Sequence, residues 1–260
     1  MSDKPEMLDV SDTPIAVRHR PGGNPGLVWL GGYRSDMLGT KAERLDALAE
    51  ELDLAYTRHD YSGHGESGGK FTDGTISTWL AQSIAVFQTY TSGPQILIGS
   101  SMGGWIALRM VQELNKGAAD DRIAGLVLLA PAPDFTVELM EPELTDAQRA
   151  DLDTKGYFEE FSEYSPDDPN IFTKAFFDDG RKNRVLTEPL DTYCPVHILQ
   201  GMADPDVPHT HAQKLMEFLG KDDATLTLVR DGDHRLSRPE DLDLLARTVA
   251  AMAERVRKDG

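Results

Sequence analysis

The stretch Gln95-Ile96-Leu97-Ile98-Gly99-Ser100-Ser101-Met102-Gly103-Gly104-Trp105-Ile106-Ala107-Leu108 decides how the rest of the chain is read. An apolar run gives way to glycines and serines and then to a helical period, which reads as strand, tight turn and helix. Within the turn, Gly99-Ser100-Ser101-Met102-Gly103 fits G-x-S-x-G in the context where that pattern has mechanical meaning. Small flanking residues let the chain reverse sharply and hold the middle serine out with its oxygen exposed. Ser101 is the candidate nucleophile; the competing reading is a serine-rich turn that merely caps its helix.

What favours the first reading is the order of residues downstream. A serine hydroxyl is a poor nucleophile until a base accepts its proton, and a neutral imidazole does this near neutral pH when a carboxylate fixes its tautomer. His234 is the best base, because it lies just past a strand in the turn Gly232-Asp233-His234, whereas His209 and His211 open a helix and His197 lies within a strand. Two carboxylates compete for the third role. Asp204 sits at the immediate exit of a strand and is favoured; Asp206, between Pro205 and Val207-Pro208, suits a cap for the following helix.

The chain has 260 residues, with Lys and Arg totalling 26 against 44 Asp and Glu for a formal charge of −18. That balance opposes nucleic acid and anionic membrane surfaces as partners. The single cysteine, Cys194, can form neither an internal disulfide nor a cysteine-based metal site. No signal peptide and no membrane-length apolar run is evident, so a cytoplasmic location without integral membrane association is expected. No cofactor or metal is expected. The two histidines of Arg58-His59-Asp60-Tyr61-Ser62-Gly63-His64-Gly65-Glu66-Ser67-Gly68-Gly69 lack the three or four convergent ligands of a zinc site, and the loop lacks the phosphate-cradle ending Gly-Lys-Ser/Thr. A buried loop in which Asp60 fastens backbone donors is the simpler reading.

Strands are expected at residues 7–10, 13–20, 27–33, 54–57, 95–98, 123–130, 195–200 and 224–229. Helices are expected at 40–51, 76–90, 102 to about Asn115, 209–219 and 239 to about 257. This alternation predicts an α/β fold with a mostly parallel central sheet and helices on both faces. It breaks between residues 134 and 189, where no sheet strand is convincing and short helices are expected near 143–152, 156–162 and 171–177. The division is therefore a core, 1–133 and 190–260, with a helical cap, 134–189. The cap holds eight of the nineteen aromatic residues, among them Phe135, Phe161, Tyr164 and Phe172; these either line an acyl pocket or pack among themselves.

Over essentially its whole length the sequence resembles a serine α/β-hydrolase. Gly31-Gly32-Tyr33 stands in the oxyanion-loop place usually written His-Gly-x, with Gly31 replacing the histidine. Asp60 to Ser67 matches D-x-x-G-x-G-x-S, and residues 99–104 form the nucleophile elbow. Gly201-Met202-Ala203-Asp204-Pro205-Asp206-Val207-Pro208 matches G-x-x-D-x-x-V-P, and Gly232-Asp233-His234 the terminal histidine motif. More narrowly, Gly32 to Ala42 and Asp60-Tyr61-Ser62-Gly63 resemble the mitochondrial palmitoyl-protein thioesterase branch, whose members cleave S-acyl and certain acyl-glucuronide esters, and its bacterial relatives.

The resemblance implies a hydrolase in which Ser101 attacks an ester or thioester carbonyl, His234 acts as base and Asp204 orients it, with a hydrophobic acyl group. The backbone N–H groups of Tyr33 and Met102 would receive the oxyanion, each contributing roughly 3 kcal/mol. The expected partner is a small-molecule ester or acyl-thioester, with an S-acylated protein as a further candidate. The alternatives are a serine peptidase, a small-ester carboxylesterase or a non-catalytic binding protein of the same fold. Epoxide hydrolases and haloalkane dehalogenases use an aspartate where Ser101 stands.

Overall fold

The computed structural model describes residues 4–114, 122–162, 165–220 and 223–259. In chain order these form β1 (Glu6–Val10), β2 (Thr13–Arg20), β3 (Gly23–Leu30), α1 (Thr40–Glu51), β4 (Leu54–His59), α2 (Ile76–Tyr90), β5 (Gln95–Ser100), α3 (Met102–Leu114) and β6 (Ile123–Leu129). There follow α4 (Asp146–Thr154), β7 (Tyr157–Ser162), β8 (Ser165–Thr173), α5 (Lys174–Lys182), β9 (Val196–Gly201), α6 (His209–Phe218), β10 (Ala224–Val229) and α7 (Pro239–Asp259).

Eight strands make one sheet in the order β1-β2-β4-β3-β5-β6-β9-β10. The pairs β1–β2 and β2–β4 are antiparallel; from β4 to β10 every pairing is parallel. Parallel strands need crossovers, and the helices supply them on both faces, which is why Leu27–Leu30 in β3, Ile96–Ile98 in β5 and Leu126–Leu129 in β6 read as unbroken apolar runs. The period of two divides each strand between two cores. Leu27, Trp29, Ile96, Ile98, Val127 and Leu129 face the helices α1 and α7, while Val28, Leu30, Leu97, Leu126 and Leu128 join the core beneath α2, α3 and α6.

The chain order reverses at β3, which lies between β4 and β5. At such a switch point the loops leaving the strand ends diverge and open a crevice, the place where an α/β sheet holds its ligand. Here those loops are residues 31–33 after β3 and the turn at Ser101 after β5.

The insertion between β6 and β9 is not helical throughout. Helices α4 and α5 fall near two of the expected positions, but residues 157–162 and 165–173 pair as an antiparallel hairpin. No helix forms at the expected 156–162: Gly156, at φ 82°, stops α4, and the chain continues extended with Phe158 buried beside exposed Tyr157 and Glu159. Pro166 and Pro169 lie within β8; a two-stranded ribbon has outer edges on which proline's missing N–H costs no ladder bond. Asn115, Tyr164 and the side chain of Phe161 lie outside the described residues.

Candidate active site

Ser101 occupies the single-residue turn between β5 and α3 with φ 53°, a left-handed conformation that costs a non-glycine residue about 1 kcal/mol or more. The surroundings hold it there: its N–H donates to Leu129 O at 2.9 Å, and its carbonyl accepts from Gly104 N at 2.9 Å and Ala132 N at 3.1 Å. The flanking glycines are required by contact. A Cβ on Gly99 would lie 2.4 Å from Gly103 O, and one on Gly103 would lie 2.0 Å from Leu30 O.

His234 follows β10 and reaches back to this turn. Ser101 Oγ and His234 Nε2 are 3.0 Å apart, and His234 Nδ1–H donates to Asp204 Oδ2 at 2.9 Å. Asp204 leaves β9 with its side chain fully buried. Its Oδ1 accepts from Asp206 N at 2.9 Å and Val207 N at 2.8 Å. Burial works to raise the Asp204 carboxyl, but the hydrogen bond and charge of His234, with the two backbone donors, outweigh it and hold the group below its ordinary value.

Asp206 is exposed and gives Asp204 its backbone N–H, not a carboxylate to His234. Nor does it cap α6, whose N-cap is Pro208 with no side-chain cap bond. One residue of this group went unread in the sequence: Gln200, fully buried at the end of β9, donates to Asp204 Oδ2 at 3.1 Å and to Val207 O at 3.0 Å. A glutamine closing an apolar strand was the available signal.

Tyr33 and Met102 flank the serine. Met102 opens α3, so its N–H belongs to the first turn, where no helical acceptor exists. The loop bearing Tyr33 approaches from the other side; a Cβ on Gly32 would lie 3.4 Å from Ser101 Cβ. The Tyr33 hydroxyl donates to Ile171 O at 3.0 Å, and Arg34 Nη1 donates to Pro169 O at 2.9 Å, so this loop is fastened to β8. The Tyr33 ring stacks on Phe172 at 5.2 Å and meets Phe71 and Phe176. Asp60 fastens backbone donors as expected, its oxygens accepting from Met37 N at 2.6 Å and Glu66 N at 2.8 Å.

Asp204, Asp206 and His234 bring potential metal-ligand atoms within 4.8 Å of one another. The Asp204 carboxylate and His234 Nδ1–H are committed to each other, so a cation there would break the bond that orients the ring.

The profile of the alpha/beta hydrolase family matches residues 21–247. The chain belongs to this family. Among solved structures, a putative hydrolase from Agrobacterium vitis S4 is 56% identical with a TM-score of 0.92, over 96% of this chain and 98% of that one. The mouse alpha/beta hydrolase domain-containing protein 10 superposes with a TM-score of 0.87 at 27% identity, over 97% and 99% of the two chains. The curated mouse protein "Palmitoyl-protein thioesterase ABHD10, mitochondrial" is 28% identical over 96% of this chain and 82% of its own length.

The alpha/beta hydrolase fold and these relatives make the chain a hydrolytic enzyme of that class. The cytoplasmic location expected from the sequence does not stand: the curated mammalian relatives are named as mitochondrial proteins. That expectation rested on the lack of a signal peptide and of a membrane-length apolar run, and neither observation distinguishes one interior compartment from another. Among the described residues no helix is long and apolar enough to cross a membrane.

Proposed function

We propose that this alpha/beta hydrolase cleaves carboxylic esters or thioesters through an acyl-serine intermediate. The observation that carries the reading is the unbroken chain Ser101 Oγ, His234 Nε2, His234 Nδ1, Asp204 Oδ2, with links of 3.0 and 2.9 Å. Ser101 attacks the carbonyl and His234 takes its proton, while the buried carboxylate of Asp204 stabilises the imidazolium. The N–H groups of Tyr33 and Met102 receive the negative oxygen. His234 then gives that proton to the departing alkoxide or thiolate and, neutral again, takes one from the water that attacks the acyl-serine, passing it to Ser101 as the acid leaves.

Residues 134–189 act as a cap over the crevice, and the acyl group is hydrophobic. The aromatic cluster of Tyr33, Phe135, Phe172 and Phe176 adjoins Gly32 and supports this, as does the name of the mouse relative. Because Phe172 and Phe176 are almost fully buried against their neighbours, a long chain must part these rings. Each methylene seated is worth about 0.8 kcal/mol. A series of p-nitrophenyl esters from two to sixteen carbons, below micellar concentrations and paired with matched thioesters, tests the reading. The expected result is kcat/KM that rises with length and then flattens; a monotonic fall from the two-carbon ester without thioester turnover overturns the acyl assignment.

A further inference from the structure

The loop after β4 carries a histidine that the proposed reaction does not use. His64 is only 4% exposed. Its ring lies edge-on to Tyr61, Phe71 and Trp79, with centroids 5.5, 5.1 and 5.1 Å away. A buried neutral imidazole needs a partner for each nitrogen, one as donor and one as acceptor. Nδ1–H donates to Ser62 O at 3.2 Å, which makes Nε2 the acceptor, and Nε2 accepts the backbone N–H of Arg34 at 3.1 Å.

That partner belongs to the loop that faces Ser101. Arg34 holds φ 57°, a left-handed conformation for a non-glycine, so its peptide needs an outside restraint. Neighbouring peptides are restrained too: the Tyr61 hydroxyl donates to Gly31 O at 3.2 Å, and Ser35 N donates to Gly32 O at 3.1 Å. In a trans peptide the carbonyl and the N–H point in opposite directions. The pull of Ser35 on Gly32 O therefore aims the Tyr33 N–H the other way, and the His64 bond to the next peptide keeps that aim from rotating.

We propose that His64 is the positioning residue of the oxyanion loop, fixing the Tyr33–Arg34 peptide so that the Tyr33 N–H is set before substrate arrives. The proposal rests on the reading of Tyr33 as an oxyanion donor. A donor that needs no reorganisation at the moment of reaction contributes most. Burial pushes the ring's pKa down to about 4, against the Ser62 hydrogen bond and with the help of the Arg34 charge. At neutral pH the ring stays an acceptor; protonated, Nε2 would confront the Arg34 N–H donor to donor.

His64 could instead merely fill space among aromatic rings, and two substitutions separate the roles. In His64→Gln the amide reaches the depth of Nε2 and can accept from Arg34. In His64→Asn it reaches only the depth of Nδ1, so the Ser62 bond can persist but the Arg34 bond cannot. Both remove the ring, so loss of packing is shared. The experiment measures kcat and KM for p-nitrophenyl butyrate, the Ki of a trifluoromethyl ketone that forms a tetrahedral serine adduct, and thermal melting, with Ser101→Ala alongside. The expected result is kcat lower by about ten- to a hundred-fold in His64→Asn with KM little changed. The ketone should weaken in parallel, most of both losses should be recovered in His64→Gln, and the melts of the two variants should match. Equal losses in the two variants, or a loss confined to KM, overturn the proposal while an inactive Ser101→Ala leaves the serine mechanism standing. Wild-type turnover by Ser101→Ala overturns both.

Discussion

Asp204 and His234 leave neighbouring parallel strands whose last residues, Gly201 and Val229, pair in register, and their side chains meet at 2.9 Å. Asp206, only two residues from Asp204, stays exposed. Position on the strand exit, rather than carboxylate chemistry, separates the two acids. Asp204→Asn should lower kcat by about ten-thousand-fold, because an amide there disfavours the Nδ1–H tautomer. Asp206→Asn should leave kcat/KM near wild type, since its contribution to the site is a backbone N–H. Steady-state kinetics on both variants decide this, and a larger loss at Asp206 reverses the assignment.

The turn around Ser101 is held open by missing side chains. Gly103→Ala would set a methyl 2.0 Å from Leu30 O and 2.6 Å from Gly31 O, both backbone atoms at the end of β3. Overpacking of this kind costs about 1–3 kcal/mol, and more where backbone must yield. Gly220→Ala, whose nearest new neighbour is 3.5 Å away, serves as the control. Urea unfolding should show a clear loss for Gly103→Ala and almost none for Gly220→Ala; equal stabilities would contradict the packing argument.

The sheet and the three residues brought together at its edge were legible because both depend on local signals. Apolar runs such as Ile96-Leu97-Ile98 announce buried strands, and strand order carries Ser101, Asp204 and His234 to one edge. The β7–β8 hairpin was not legible, since its register is set by pairing with each other and by Phe158 and Phe172 packing across the ribbon at 5.5 Å, neither visible as a period. Gln200 went unread, and the hydrogen-bond partner of His64 was not legible, for a related reason: Asp204 Oδ2 and Arg34 N are brought to them only by tertiary contact.

Two buried histidines predict how stability depends on pH. Burial pushes both His59 and His64 down to about 4 from an ordinary 6.5. His59 Nδ1 is buried without a hydrogen-bond partner, so a proton there would bring in an uncompensated charge. Between pH 6.5 and 4 the unfolded chain therefore binds more protons than the folded one, and stability falls with falling pH across that window. Each histidine can contribute up to about 3 kcal/mol to the fall. Asp60 and Asp134, both raised by burial, act with the opposite sign, so the contribution is best read by difference. In urea unfolding at pH 4.5 and 6.5, His59→Gln should lose much less stability between the two than wild type. An identical difference would refute the assignment.

Ser101 Oγ is the atom that becomes acylated in the proposed reaction. Treating the folded protein with a fluorophosphonate and locating the adduct by peptide mass spectrometry tests this most directly, with Ser101→Ala carried in parallel and scored for ester turnover. The expected result is a single adduct on the peptide that contains Ser101, none in the variant, and kcat in the variant lower by about a million-fold, as when a serine nucleophile of this type is removed. An adduct on another residue, or near-native turnover by folded Ser101→Ala, would contradict it.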